Sequence, residues 1–356
     1  MPSGPTRQAK PLPKGELAIL REIRRRAGRS VGKTLRLGIG DDCALLRPRP
    51  GQELAVTTDL CIAGRHFRLD WHTPESVGHR ALARGLSDLA AMGARPVAAF
   101  LSLGLPRELA EPRAGQRWSN CWPARFLDGL LALAEAHNTP LAGGDLSETP
   151  IPLADIVLVG SVPQGTALLR SGARAGDLLY VTGSLGGGAA ALPYLDRLAQ
   201  QRVAANKPDQ ARANGLDPRQ IPKESRPLLD RHLWPQPRIA QGLKLRSLAS
   251  AAMDLSDGLS TDLTHLCEES RVSAEIDATL LPIHPGANLE YALHGGDDYE
   301  LLFAARPSAR IPRRIAGISV TRIGRLMPMR HGRATIDLIG AQGSTSLEPR
   351  GWEHFS

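Results

Sequence analysis

No run of eighteen apolar residues occurs in this 356-residue chain, so no membrane-spanning helix is expected. Residues 1–14, rich in proline and basic side chains, have no apolar centre of the kind a secretory signal needs. They are read as a disordered amino terminus, and a cytoplasmic protein is expected. Cysteine is scarce: Cys43, Cys61, Cys121 and Cys267 form no Cys-x-x-Cys pair and stand near no paired-histidine motif. That spacing argues against a zinc site and a disulfide framework and predicts buried free thiols. Aromatics make up only 4% of the residues, too few for stacking platforms along a nucleic-acid strand. The net charge of +8 comes from dispersed Lys and Arg, clustered only at Arg24, Arg25 and Arg26, so it suits anionic metabolites as well as any polymer. Neither nucleic acid nor membrane is therefore an expected partner. Nucleophile–base signatures are missing too, with no Gly-x-Ser-x-Gly, no His-Glu-x-x-His and ten scattered histidines.

The chain is long for a single core, and two domains are expected. Apolar periodicity predicts a helix over residues 15–27 and another opened by Pro74 and stopped by Gly93. Residues 35–39, 44–46, 54–58, 97–103, 155–162 and 177–182 read as strands, and 123–137 and 189–199 as helices. Residues 200–225 turn polar and read as an exposed insertion. Helices at 237–248 and 259–270 and further strands near 301–304, 320–323 and 335–338 complete an α+β architecture. The division falls near residues 164–172, giving domains at 15–165 and 166–356.

What the chain does carry is a series of short acidic clusters beside Gly, Ser or Thr. They are Gly40-Asp41-Asp42, Thr57-Thr58-Asp59, Ser87-Asp88, Gly143-Gly144-Asp145, Asp254-Leu255-Ser256-Asp257-Gly258 and Gly295-Gly296-Asp297-Asp298. Each sets a hard oxygen ligand on backbone able to turn sharply, and each taken singly is ordinary turn chemistry. Six together suit a magnesium–polyphosphate site, because Mg2+ takes one or two carboxylates plus phosphate oxygens and water. Asp88 lies on a helix among Leu82, Leu86, Leu89 and Met92, where a metal would offset the cost of burying its charge; the alternative is a carboxylate that caps backbone. Asp257 reads as a helix N-cap or as part of a phosphate site. The glycine-rich turn at residues 183–188 is a second candidate anion loop. Residues 27–34, a loosened Walker A pattern, stand in the wrong order: a phosphate-cradling loop follows a strand and opens a helix, whereas here a helix precedes and a strand follows. An acceptor that is itself a phosphate monoester is already ionised at neutral pH and needs no general base, which fits the missing nucleophile motifs.

In this order the motifs resemble the thiamine-monophosphate kinase family. The resemblance rests on Gly38-Ile39-Gly40-Asp41-Asp42-Cys43-Ala44, Thr57-Thr58-Asp59, Gly64-Arg65-His66-Phe67, Leu86-Ser87-Asp88-Leu89-Ala90-Ala91-Met92-Gly93 and Leu141-Ala142-Gly143-Gly144-Asp145. It continues through Leu169-Arg170-Ser171-Gly172, the segment from Asp254 to Leu259, Gly295-Gly296-Asp297-Asp298-Tyr299-Glu300 and Gly351-Trp352-Glu353-His354-Phe355. It implies the two-domain fold shared with aminoimidazole ribonucleotide synthetase, with amino-terminal strands forming a barrel across a homodimer. It implies ATP-dependent phosphorylation of thiamine monophosphate to thiamine diphosphate with several Mg2+ ions. By motif, Asp42, Thr57, Thr58, Asp59, Asp88, Asp145, Asp254 and Asp257 would hold metal. Gly144, Asp145, Arg170 and Ser256 would contact ATP, and His66, Asp297 and Trp352 would face the thiamine phosphate. Two departures stand out: Arg84-Gly85 where the family usually has Val-Asn, and Asp297 where it has Glu. The competing readings are a sibling synthetase of the same superfamily and a non-catalytic binding module. His66 and the Gly-Trp-Glu-His-Phe end favour the kinase over the first, and the dispersed basic residues weigh against the second.

Overall fold

The computed structural model describes residues 16–27, 34–39, 42–112, 116–204, 215–217, 219, 221–329 and 332–352. The amino-terminal segment, the centre of the Walker-like stretch, Gly40, Asp41 and the last four residues lie outside them. Helix α1 (Glu16–Ala27) buries Ile19, Ile23 and Ala27 at four-residue spacing and turns basic side chains outward. After it come a short ladder of β1 (Leu35–Leu37) and β2 (Leu45–Leu46) and a sheet of β3 (Gln52–Ile62), β4 (Arg95–Leu105), β5 (Leu141–Glu148) and β6 (Leu153–Pro163). The sheet order is β3-β6-β4-β5, with only β4 and β5 parallel. Helices α2 (Pro74–Ala91), α3 (Arg107–Ala110) and α4 (Trp122–Ala136) interleave with these strands. Within this chain the sheet is open, with β3 and β5 at its edges, so one chain does not close the expected barrel.

The second half contains β7 (Leu178–Thr182), α5 (Gly187–Ala204), α6 (Arg226–Leu233), α7 (Ile239–Leu245), β8 (Ala251–Asp254), α8 (Leu259–Ser270) and β9 (Val272–Asp277). It continues through α9 (Leu289–His294), β10 (Leu301–Ala305), β11 (Arg314–Ile315), β12 (Ile318–Pro328), β13 (Ile336–Gly340) and β14 (Gly343–Ser346). Its sheet runs β14-β13-β9-β12-β7-β10-β8, with β11 paired to β12.

Helix α2 positions the site. Thr73 caps it by accepting from the Ser76 N–H at 3.2 Å, Pro74 occupies the first turn, and Gly93 follows the end at a φ of 64°. Val77, Ala81, Leu82, Leu86, Leu89 and Ala90 are essentially fully buried. Each large aliphatic side chain among them is worth about 1.5–3 kcal/mol. The core they form takes in Ile156 and Leu158 of β6 and Ala252, Leu301 and Phe303 of the second sheet, so α2 is lodged between the two halves. A Cβ on Gly129 of α4 would stand 1.8 Å from the Glu75 carbonyl oxygen of α2, so the close approach of these helices requires glycine there.

Several elements differ from their expected form. β3 extends through Asp59 to Ile62, and Gly143-Gly144-Asp145 lies inside β5, so neither acidic cluster sits at a strand-to-loop junction. Glycine signalled a turn at Gly144, but its role is proximity: φ is 148°, and a Cβ would meet the Leu101 carbonyl oxygen at 1.8 Å. Within the stretch read as an exposed insertion, α5 runs on to Ala204, and Leu216 and Ile221 are buried against α5 and α6. Helix α6, which the local pattern did not reveal, supplies Leu228, Leu229 and Leu233 to that small core. Cys61, Cys121 and Cys267 are buried, but Cys43, on the β1–β2 connection, is exposed.

Candidate functional site

Three ionisable residues lie one turn apart on a single face of α2: Arg80, Arg84 and Asp88. Arg84 and Asp88 border a cavity of about 330 Å3 between the halves, whose walls include Asp59, His66, Asp254, Ser256, Asp257, Asp297, Tyr299 and Trp352, and Arg80 lies buried behind its wall. A larger, more open groove of about 1200 Å3 lies near Arg95, His137 and Arg246 and, among the described residues, is lined by no carboxylate. The chemistry converges on the smaller one.

At one end stand Asp88 and Asp254. Asp88 accepts from the Thr57 hydroxyl of β3, and Asp254, at the end of β8, accepts from Ser87 Oγ at 2.6 Å. Burial, then the facing Asp254 carboxylate, push the Asp88 carboxyl up to about 7; Asp254 is also raised, chiefly by burial. Arg170, on an exposed turn, offsets part of this on both. Asp254 is followed by the Leu255–Gly258 loop, which three contacts hold in place. The Asp297 N–H donates to the Ser256 carbonyl at 2.9 Å, the Tyr299 N–H to that of Leu255 at 2.8 Å, and the Trp352 N–H to that of Asp257 at 3.0 Å. Behind the loop the buried Asp262 accepts from the Asp257 and Gly258 N–H groups at 3.1 and 3.0 Å. The N-cap of α8 is Gly258 rather than Asp257.

At the other end Asp297 accepts from Arg80 at 3.0 Å and from the Tyr299 hydroxyl at 2.7 Å, and His232 lies 3.4 Å away. Burial opposes its ionisation, yet Arg80 and His232 outweigh burial and hold the carboxyl well below the usual range. Arg80 also reaches the carbonyls of His66 and His232, tying three segments together. The His66 ring accepts the Ile62 N–H through Nδ1 at 3.1 Å, which places the proton of its neutral form on Nε2. Between the two ends Arg84 grips Asp59 through Nε at 2.9 Å and Nη2 at 2.7 Å.

Of the residues expected to form the site, the cavity gathers Asp59, Asp88, Asp254, Asp257, Ser256, His66, Asp297 and Trp352, with Thr57 adjoining through Asp88. Asp42, Thr58, Gly144, Asp145 and Arg170 are exposed and do not line it. Thr58 points to the opposite face of β3 from Thr57 and Asp59, as strand alternation requires. Asp59, expected to hold metal, is paired with Arg84, and Asp297, expected to face substrate, is engaged by Arg80 and Tyr299. The candidate anion loop at residues 183–188 is filled from within. Asp298 accepts from the Gly186 and Gly188 N–H groups at 2.6 and 3.3 Å, its carboxyl pushed up to about 7 by burial. The sequence reading passed over Arg80, His232 and Asp262. The four-residue spacing of Arg80, Arg84 and Asp88 was a usable signal, whereas nothing local marks His232.

Among the described residues no three of His, Cys, Asp and Glu converge to form a protein-only metal cage. The pair Asp88 and Asp254 nevertheless fits Mg2+: two hard, buried, mutually repelling carboxylates are a donor set that a divalent cation would neutralise, with phosphate and water completing its shell.

The sequence matches the AIR synthase related protein N-terminal domain over residues 40–162 and the C-terminal domain over residues 174–335. Thiamine-monophosphate kinase of Escherichia coli K12 is 38% identical over 340 residues, covering 92% of this chain and 94% of that protein. The crystal structure of thiamine-monophosphate kinase from Stenotrophomonas maltophilia K279a superimposes with a TM-score of 0.71 at 37% identity, covering 90% of this chain and 97% of that one. A structure described as AaThiL complexed with AMPPCP and TMP has a TM-score of 0.69 at 30% identity, covering 98% of this chain and 99% of the other. The chain belongs to the thiamine-monophosphate kinase family and is an enzyme of that class.

Proposed function

We propose that the chain transfers the terminal phosphoryl group of ATP directly and in line to the phosphate of thiamine monophosphate, yielding thiamine diphosphate and ADP. An oxygen of the acceptor phosphate forms the new P–O bond as the bond to ADP breaks. That oxygen is ionised at neutral pH, so no base has to remove a proton, which suits a cavity without a nucleophile–base pair. The observation that carries the reading is the polarity of the cavity, with the Asp88 and Asp254 carboxylates at one end, Arg84 between, and His66 with the Arg80-anchored Asp297 at the other. The likeness to a relative holding an ATP analogue and TMP supports it.

Asp88 and Asp254, with Asp257 beside them, would hold Mg2+, which when bound would neutralise polyphosphate charge. Thr57 and Ser87 keep the first two carboxylates aimed. Asp42, Thr58, Asp145, Gly144 and Arg170 are assigned to the ATP end as residues that would engage nucleotide or additional ions, and Ser256 to the ATP-facing loop. His66 and Trp352 are assigned to the thiamine end, with Asp297 acting there through Arg80. The purified protein is expected to form thiamine diphosphate from thiamine monophosphate only with both ATP and Mg2+, measured by chromatography of the products. No product, alongside turnover of another phosphorylated acceptor, would sink the assignment in favour of a sibling enzyme.

A homodimer belongs to the same reading. Edge strand β3 exposes Leu54, Val56 and Leu60 on one face, an apolar row that the described residues leave uncovered. Pairing of two such sheets would bury it and close a barrel. Light scattering is expected to give twice the chain mass of 38.2 kDa, and a monomer at micromolar concentration would remove this part of the proposal.

A further inference from the structure

We infer that Arg84 is the residue that holds the acceptor's phosphate monoester, and that Asp59 serves to aim it. This rests on the reading of thiamine monophosphate as acceptor. Arg84 lies four residues from Arg80 and four from Asp88 on α2, about 6 Å along the axis from each. It therefore stands between the carboxylate pair and the Arg80–Asp297 anchor, where the phosphates of donor and acceptor must meet. Asp59 takes Nε and Nη2 and so fixes the plane of the guanidinium. Nη1 keeps only a long contact of 3.5 Å to the Tyr299 hydroxyl and retains donor capacity on the cavity wall.

The other cations around the cavity are less suited. Arg80 has 0% side-chain exposure, and its Nη1 and Nη2 are engaged by Asp297 and two carbonyls. Arg68 is pinned by Asp70 and Asp196. Arg65 sits on an exposed turn with no fixing partner among the described contacts. A planar fork held on one edge and open on the other is the geometry that recognises a phosphate, and a carboxylate behind it keeps the side chain from swinging toward Asp88.

The test is calorimetric titration of the full chain in EDTA, without nucleotide, using thiamine monophosphate and thiamine as separate probes, together with steady-state kinetics. Wild type is expected to prefer the phosphorylated ligand. Arg84→Gln is expected to weaken thiamine monophosphate binding about 10–100-fold, to leave thiamine binding within about twofold, and to raise KM for the acceptor but not for ATP. Retained thiamine binding shows that the variant is folded, and Arg84→Lys is expected to recover only part of the preference. Asp59→Asn is expected to lose part of it too, and Arg65→Gln none. Unchanged discrimination and acceptor KM in both Arg84 variants, or loss of discrimination in Arg65→Gln instead, would overturn the inference. A wild type that neither binds nor phosphorylates thiamine monophosphate would overturn the functional reading, and this inference with it.

Discussion

Turnover of an Asp88→Asn variant is expected to fall about 10³-fold or more, because the substitution removes one of two buried charges available to neutralise a polyphosphate and nothing replaces it. The fold is expected to survive, and the linkage has a definite sign. Burial and Asp254 raise the Asp88 carboxyl from 3.8 to about 7 in the folded chain. Between those values the folded state binds more protons than the unfolded one, so the metal-free wild type loses stability as pH rises from about 4 to about 7. Asparagine has no charge to lose. The metal-free variant should therefore match wild type near pH 4 and melt higher near pH 8, while added Mg2+ should stabilise wild type at pH 8 and do little for the variant. Melting curves across pH, with and without Mg2+, check this alongside activity. Near-normal turnover would return Asp88 to a structural role.

Arg80→Ala is expected to be among the most destabilising single changes in the chain, by roughly 3–5 kcal/mol. The side chain is fully buried, and its removal strands Asp297 and leaves the His66 and His232 carbonyls without their donor. Asp297 is depressed in the folded state, so its contribution is present above its unfolded value near 3.8 and is lost as pH falls through the lower folded one. The deficit of the variant should accordingly be largest above pH 4. Urea unfolding at pH 7 measures it. Arg80→Met combined with Asp297→Asn should recover a good part, since it removes both charges together. A loss under about 1 kcal/mol in the single variant would mean that the buried pair adds nothing beyond packing.

Features governed by short-range rules were legible in the sequence. Helix α2 could be read from Pro74, its apolar period and Gly93, because capping and periodicity act within a turn or two. The acidic clusters beside apolar runs suggested a polyphosphate site for the same reason, as carboxylates and turning backbone lie together in the chain. The ordered set of motifs pointed to the family to which the chain belongs. β5 was missed because glycine at a close strand crossing looks, in one dimension, like glycine at a turn. Helix α6 was missed because its apolar face acquires meaning only against α5 and the returning Leu216.

Partnerships were another matter. Composition and spacing pointed to a class of chemistry, oxygen ligands that suit a hard cation beside turning backbone. Which group each carboxylate meets was decided by tertiary contacts, through Arg84 with Asp59 across 25 residues, Ser87 with Asp254 across 167 and Arg80 with Asp297 across 217. A buried charge takes its role from the groups that surround it, and those groups arrive from distant segments only when α2 is packed between the two sheets. The same packing turned one expected anion loop into a seat for Asp298 and brought Asp88 and Asp254 together at one end of the cavity.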